Sequence, residues 1–150
     1  MHPCAVAQES VADRVVILKK QHQMMLLQHR HAFKTYSISL GRGGVEPKQR
    51  QGDHRTPEGL YTIDSRKRNS TFHWALHVSY PSDSDRQRAS KLGVQPGSDI
   101  EIHGLPNGIG WLGWLHRLVD WTDGCVAVTN SEIEEIWGLV PVGTPVEIKS

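Results

Sequence analysis

The feature that most constrains the fold of this chain is a succession of short runs in which apolar and polar residues alternate, separated by turns that contain Gly or Pro. In Thr35–Leu40, for example, Tyr36, Ile38 and Leu40 share one face, as alternate residues of a strand do. Comparable runs are Arg14–Lys19, Met24–Gln28, Gly59–Ile63, Phe72–Val78, Ile100–His103 and Pro145–Lys149. Helices do not alternate regularly with these strands, so the pattern argues against a doubly wound α/β fold and predicts a mainly β domain.

Two stretches depart from the alternation and predict short helices. Ser82 can cap the first helix, acidic residues occupy its first turn and basic residues its last, and Gly93 ends it. In the second, Ser131 and Glu134 have the spacing of a capping box, and Gly138 ends the helix. The sequence therefore predicts a mainly β fold with two short helices.

Length and composition indicate one folded domain. The chain has 150 residues, of which residues 1–13 are polar and unpatterned and are expected to form a loose N-terminal arm, and residues 14–150 the domain. A formal net charge of +1 argues against a nucleic-acid-binding domain, because such domains are usually strongly basic. The longest aliphatic runs have four residues, against about 18 for a membrane-spanning helix, and no signal peptide is visible.

A His and a Cys occupy equivalent places on two of the short strands. In the first, Ile102 takes the core-facing parity, so His103 points to the opposite face. In the second, Val126 and Val128 take the core, which turns Cys125 to the opposite face. The two side chains are therefore expected to face away from the apolar core.

This pairing suits catalysis by a thiol nucleophile. A thiol reacts as the thiolate, and a neighbouring imidazole can accept its proton and later protonate the leaving amine. The adjacent Gly104 and Gly124 are expected to let a substrate approach the backbone, and the N–H groups of Gly124 and Cys125 are candidate oxyanion donors. Parity alone leaves open the alternative that His103 and Cys125 are ordinary structural residues.

The amino-acid sequences around His103 and Cys125 are more specific than the strand parity. The residues IHG at 102–104, followed by WTDGCVAV at 121–128, resemble the His-Gly and Ser/Thr-x-Gly-Cys signature of the YkuD-type L,D-transpeptidases. Upstream, SLG at 39–41, RTPEG at 55–59 and SYP at 79–81 also match that family. The resemblance covers roughly residues 14–149 and is closest to the ErfK/YafK branch.

The resemblance implies a fold, a site and a reaction. It implies a YkuD-like β-sandwich in which Cys125 is the nucleophile, His103 the general base, and Gly104 carries the backbone group that orients the imidazole. The implied enzyme needs no cofactor or metal. It forms a thioester with the stem peptide of peptidoglycan and transfers the acyl group of the diamino acid to another stem or to a lipoprotein.

Two alternatives stay open at this point. The same site could hydrolyse the amide at the diamino acid, as an amidase or L,D-carboxypeptidase. Alternatively, the domain could be a non-catalytic wall-binding module in which Cys125 is only structural. All three readings imply a location in the periplasm or cell wall and no nucleic-acid partner.

The sequence departs from the family pattern immediately before the cysteine. Asp123 stands where the family usually has a second His, and a carboxylate at this place would raise the thiol pKa. We expect Asp123 to turn outward and receive the ammonium of a substrate amine. A second departure is Ala127, where many members carry Arg, which removes a contact for a substrate carboxylate.

Other residues are candidates for binding the substrate. Arg55, Lys48 or Arg117 could replace the missing carboxylate contact. Thr122 lies in the signature itself and is expected to touch the substrate. The loop before it carries Trp111, Trp114, His116 and Trp121, which either wall the substrate groove or pack the loop against the domain.

The nine histidines do not predict a metal site. His73 and His77 are four apart, which in a strand separates them by about 13 Å, too far to share a metal ion. His29 and His31 have no Cys or carboxylate partner at the spacing of a metal site.

Overall fold

A computed structural model describes residues 11–150, without the side chains of Trp114, Arg117 and Leu118. The strands are β1 (Arg14–Leu18), β2 (Gln23–Gln28), β3 (His31–Ser37), β4 (Gly59–Ser70), β5 (His73–Val78), β6 (Glu101–His103), β7 (Val126–Ala127) and β8 (Pro145–Lys149). The helices are α1 (Asp83–Leu92) and α2 (Asn130–Leu139), and a 3₁₀ segment spans Gly110–Leu118. The strands form one sheet in the order β3-β2-β1-β8-β4-β5-β6-β7. The mainly β prediction with two short helices is therefore confirmed.

Strand β4 joins the two halves of this sheet. Its first residues, from Gly59 to Thr62, pair with β8, and the residues from Ile63 onward pair with β5. Fully buried side chains from both halves, such as Ile17 and Leu76, belong to one apolar cluster together with Ile136 of α2. The two halves therefore share a single core, which a sandwich requires.

Two strands differ from their predicted bounds by more than one residue. Strand β3 begins at His31 and ends at Ser37, although Tyr36, Ile38 and Leu40 are buried on one face as expected. Strand β4 continues seven residues beyond the predicted end at Ile63. Its second part is exposed and polar, so it has no alternation to read, and its extended form comes from pairing with β5.

The start of α1 matches the sequence prediction, and the start of α2 does not. Ser82 caps α1 in a capping box, and Gly93 ends it in the left-handed conformation. In α2 the capping box is formed by Thr129 and Glu132, two residues before the predicted pair. The helix begins there because the N–H of Val128 still bonds to β6, and the chain leaves the sheet at the next residue.

The expected loose arm lies mostly outside the described residues. Its last residues, however, are held against the domain: Ala12 is 3% exposed and donates its N–H to the carbonyl of Leu139, and the N–H of Asp13 bonds to Leu27. Neither helix in residues 11–150 has the length and apolar character required to cross a bilayer.

A buried lysine fixes the long polar loop at residues 41–57. Lys19 is 1% exposed, and its Nζ donates to the carbonyl of Thr56 at 2.6 Å and to that of Glu46 at 3.3 Å. The Glu58 carboxylate lies 3.3 Å from the same Nζ. Burial lowers the pKa of Lys19, and Glu58 partly offsets this. Since both arms of the loop bond to one core side chain, the loop is held across the end of the domain that carries Cys125.

Candidate active site

The parallel pairing of β6 with β7 places His103 and Cys125 on one face. Ile102 lies opposite Val126, and His103 opposite Ala127. Cys125 directly precedes β7, and the N–H of Glu101 donates to its Sγ at 3.3 Å. His103 is two residues beyond Glu101, so the Cα atoms of His103 and Cys125 are about 8 Å apart by strand rise and spacing. Both side chains therefore project from neighbouring strands to the same side.

His103 is more buried than its parity suggested. It faces away from the core but is 1% exposed, because aromatic side chains cover it. The ring of Phe72 stacks on the imidazole with centroids 4.2 Å apart, and the ring of Trp121 lies at 5.9 Å. Burial lowers the pKa of His103 to about 4, so the imidazole is neutral at neutral pH.

A backbone carbonyl sets the tautomer of His103. Nδ1 lies 2.7 Å from the carbonyl oxygen of Gly104. A carbonyl only accepts hydrogen bonds, so Nδ1 carries the proton and Nε2 is the basic nitrogen. This is the contact that the family resemblance implies for Gly104.

The Cys125 thiol is protonated in the resting site. Its Sγ donates to the carbonyl of Asp99 at 3.3 Å and accepts the N–H of Glu101. Burial raises the pKa of Cys125 to about 12; the bond from Glu101 opposes this rise, and the Glu101, Asp99 and Asp123 carboxylates add to it. The site therefore rests as a neutral thiol beside a neutral imidazole.

Thr122 braces the turn that carries the cysteine. Its hydroxyl accepts the N–H of Gly124 at 3.1 Å and donates to the carbonyl of Cys125 at 2.7 Å. Thr122 is 4% exposed, so it holds the turn instead of facing a ligand as the sequence predicted. The same bond corrects the oxyanion prediction: the N–H of Gly124 is engaged inside the turn, which leaves the N–H of Cys125 as the candidate donor.

The two flanking glycines make room for the chain itself. A Cβ at Gly124, whose φ is +133°, would lie 2.7 Å from the carbonyl oxygen of Arg55. A Cβ at Gly104 would lie 2.6 Å from Oδ1 of Asn130. The structure therefore requires glycine at these positions for close packing around the site, and the approach of a substrate to the backbone stays a prediction.

Asp123 turns outward as expected, but its carboxylate already has partners. The side chain is 77% exposed, and Oδ1 lies 3.2 Å from Nε of Arg42 and 3.1 Å from Nδ1 of His54. Both partners come from the loop at 41–57. Both contacts involve Oδ1 alone, so the expectation that Asp123 receives a substrate ammonium stays a prediction.

The basic residues expected to replace the family arginine are engaged elsewhere. Lys48 is buried and forms an ion pair with Asp53 at 2.9 Å. Arg55 is half-buried and donates its Nε to the carbonyl of Gly43 at 3.3 Å. The side chain of Arg117 lies outside the described part of the structure.

The aromatic residues of the preceding loop divide between packing and exposure. Trp121 covers His103, and its Nε1 donates to Nδ1 of His116 at 3.3 Å. Trp111 is 77% exposed, and the side chain of Trp114 is outside the described structure. The packing interpretation therefore holds for Trp121, and a groove wall formed by Trp111 stays a prediction.

Sequence reasoning missed Phe72, Arg42 and His54. Phe72 was taken only as the start of a strand, and its stacking on His103 depends on the pairing of β5 with β6. Arg42 and His54 belong to a loop without periodicity. The one signal in the sequence was Asp123 itself, because an acidic residue in place of the usual His indicates that a cation lies nearby.

Of the two histidine pairs considered as metal ligands, His73 and His77 bind carboxylates. His73 lies 2.9 Å from Glu134, and His77 lies 2.6 Å from Asp64. Within residues 11–150, no three His, Cys, Asp or Glu side chains converge as metal ligands would.

Comparison with known proteins gives matches over nearly the whole domain. The family model for the YkuD L,D-transpeptidase catalytic domain matches residues 12–148. Over 135 residues the chain is 30% identical to YafK of Escherichia coli strain K12, a protein assigned to the L,D-transpeptidases. That alignment covers 89% of this chain and 44% of YafK, so the chain spans less than half the length of this relative.

Solved structures share the fold. Pgp2 of Campylobacter jejuni, described as a helical cell shape determining protein, superposes with a TM-score of 0.72 and 20% identity, covering 95% of this chain and 49% of Pgp2. An L,D-transpeptidase from Xylanimonas cellulosilytica superposes with a TM-score of 0.59 and 18% identity, covering 95% of this chain and 62% of that one. At these identities the likeness concerns the fold alone, and it confirms the fold predicted from the sequence.

Proposed function

The chain belongs to the YkuD family of L,D-transpeptidase catalytic domains, and from this premise we propose that it is a cysteine acyltransferase acting on the stem peptides of peptidoglycan. The observation that supports this most strongly is the register of β6 and β7, which puts Cys125 and His103 on one face with Nδ1 of His103 bonded to Gly104. That arrangement supplies a thiol, a basic Nε2 and a fixed ring orientation.

In the first half of the reaction, Cys125 attacks the carbonyl carbon of the diamino acid. The Sγ–C bond forms while Nε2 of His103 accepts the thiol proton, and the N–H of Cys125 donates to the developing oxyanion. The C–N bond to D-Ala then breaks, and the imidazolium returns the proton to the leaving amine. The products are a thioester on Cys125 and free D-Ala.

In the second half, the amine of another stem attacks the thioester. An amide bond forms, the C–S bond breaks, and the proton lost by the amine returns to Sγ through His103. Attachment of a lipoprotein would differ only in the amine that attacks, and hydrolysis would differ in that water attacks. The reaction implies a location where the polymer lies, in the periplasm or cell wall.

Burial keeps the thiol and the imidazole neutral until a substrate is bound. With a Cys125 pKa near 12 and a His103 pKa near 4, a thiolate–imidazolium pair is not the resting state. We therefore expect proton transfer to accompany attack on the carbonyl, when the oxyanion donor is in use. Slow labelling of the free enzyme by a thiol reagent therefore does not argue against catalysis.

The proposal is tested by incubating purified disaccharide-tetrapeptides with the wild-type protein, beside Cys125→Ala. Mass spectrometry of the products should show loss of D-Ala and a peptide dimer with the wild type only. Mass spectrometry of the intact protein should show the acyl adduct on Cys125. Loss of D-Ala without a dimer would make the enzyme an L,D-carboxypeptidase. Identical products from both proteins would overturn the proposal and favour a wall-binding module.

A further inference from the structure

The backbone around Arg42 is fixed beside the turn that carries Cys125. Gly41 forms a bridge with Thr122, the N–H of Arg42 donates to the carbonyl of Thr122 at 2.9 Å, and the N–H of Thr122 donates to Leu40 at 3.2 Å. A Cβ at Gly41 would lie 2.3 Å from the carbonyl oxygen of His54, so glycine is needed for this close passage. Arg42 is therefore held in register with the signature segment although 83 residues separate it from Cys125.

Two nitrogens of the Arg42 guanidinium contact other side chains. Nε lies 3.2 Å from Oδ1 of Asp123, and one terminal nitrogen lies 3.5 Å from Nε2 of His54. More than half of the side chain, 57%, is exposed. Arginine has five N–H donors, so the ion pair with Asp123, two residues before Cys125, leaves donors of the guanidinium for a second carboxylate.

Other cations near the site are paired with groups of the protein, and they include the exposed Lys67, whose Nζ lies 3.4 Å from the Glu101 carboxylate. Lys48 is bound to Asp53, Lys19 is enclosed by the carbonyls of the loop, and Arg55 donates to the carbonyl of Gly43. Among the side chains that the structure describes, Arg42 is the arginine that contacts Asp123, which lies two residues before Cys125.

We propose that Arg42 binds the terminal carboxylate of the acyl-donor stem peptide, and that Asp123 is a positioning residue that holds the guanidinium by its Nε. This role rests on the proposed function, in which the donor ends in D-Ala and carries a free carboxylate one residue, about 3.5 Å, beyond the attacked carbonyl. A guanidinium meets a carboxylate with two parallel N–H donors, which gives orientation as well as affinity.

The test compares two donors that differ only at the carboxyl end: the tetrapeptide with a free D-Ala carboxylate, and the same peptide with a D-Ala amide. Arg42→Gln should lower kcat/KM for release of D-Ala from the acid about 10- to 100-fold, and change release from the amide less than about twofold. Arg86→Gln is the control, because Arg86 is exposed on α1 and pairs with Asp83 at 3.4 Å. Equal losses on both donors, or no loss, would overturn the proposal.

The positioning role of Asp123 has its own signature. Asp123→Asn should raise KM for the acid donor with little change in kcat, and should add nothing in the Arg42→Gln background. The substitution also removes a carboxylate that raises the Cys125 pKa, but that effect applies equally to the acid and the amide. If Asp123→Asn slows dimer formation and leaves D-Ala release unchanged, Asp123 binds the acceptor amine and the positioning role is wrong.

A binding measurement separates this inference from the proposed function. Both peptides are titrated calorimetrically into Cys125→Ala, with and without Arg42→Gln. The acid should bind at least about tenfold more tightly than the amide, and Arg42→Gln should abolish that preference. This result would support the carboxylate site even if no turnover were found, and absence of the preference would refute the site even if turnover were normal.

Discussion

Replacing Thr122 by Val tests whether this residue braces the Cys125 turn or contacts the substrate. Valine keeps the shape of threonine but removes both hydroxyl bonds, at 3.1 Å to the N–H of Gly124 and at 2.7 Å to the carbonyl of Cys125. Loss of the buried bond to Gly124 costs about 1–3 kcal/mol, and loss of the partly exposed one about 1 kcal/mol. The greater burial of apolar surface by valine offsets less than about 1 kcal/mol, so the free energy of unfolding should fall by about 1–4 kcal/mol.

Urea denaturation followed by tryptophan fluorescence measures this change, since the chain has five Trp. Thr122→Ser is the matched control: it keeps the hydroxyl, loses one methyl group, and should cost about 1 kcal/mol. The turn also sets the position of Cys125, so Thr122→Val should lower kcat as well. The reasoning is refuted if Val and Ser are equally stable and Val raises only KM, which is the behaviour of a substrate contact.

Three further predictions concern the surroundings of the imidazole. Because burial lowers the His103 pKa to about 4, kcat/KM for D-Ala release should hold as pH falls and then decline near pH 4, where the base becomes protonated; an acid limb at pH 6–7 would contradict this, with circular dichroism reporting the fold. Gly104→Ala places a Cβ 2.6 Å from Oδ1 of Asn130, which can move away only by losing the hydrogen bond it accepts from the N–H of Leu105, so the change should cost about 1–3 kcal/mol of stability in urea. Gly138→Ala, with open space around its Cβ in α2, should instead gain about 0.5–1 kcal/mol. Phe72→Leu removes the stacked ring, so it should move the acid limb of the pH profile upward; an unchanged limb would show that the ring does not control the environment of His103.

Local signals account for the elements that the sequence predicted well. Ser82 and Gly93 bound α1 because capping depends on a few neighbouring residues. The second part of β4 was missed because its polar residues become a strand only by pairing with β5. The start of α2 was misplaced because Thr129 and Ser131 each stand three residues before a Glu, and only the path of the chain out of the sheet selects between them.

The same distinction between local signals and contacts of distant segments applies to the site. His103 and Cys125 were identified because parity and the signature motif are properties of short segments. Their burial could not be read from parity, since it comes from Phe72 and Trp121 on other parts of the chain. The contact between Arg42 and Asp123 depends on a bridge between segments about 80 residues apart, and no local pattern encodes it.

The position of β8 has a consequence for the order in which the molecule assembles. β8 pairs in parallel with β1 and antiparallel with the first residues of β4, so it links β1 to β4, the strand that both halves of the sheet share. The hairpins β1–β2–β3 and β4–β5 join neighbours in sequence and can form early, whereas β1 must wait for a partner about 130 residues further on. During synthesis, the inner edges of β1 and β4 stay open until residues 145–149 arrive. The pairing of β8 therefore closes the core and also covers the unpaired edges of β1 and β4, which could otherwise pair with other chains.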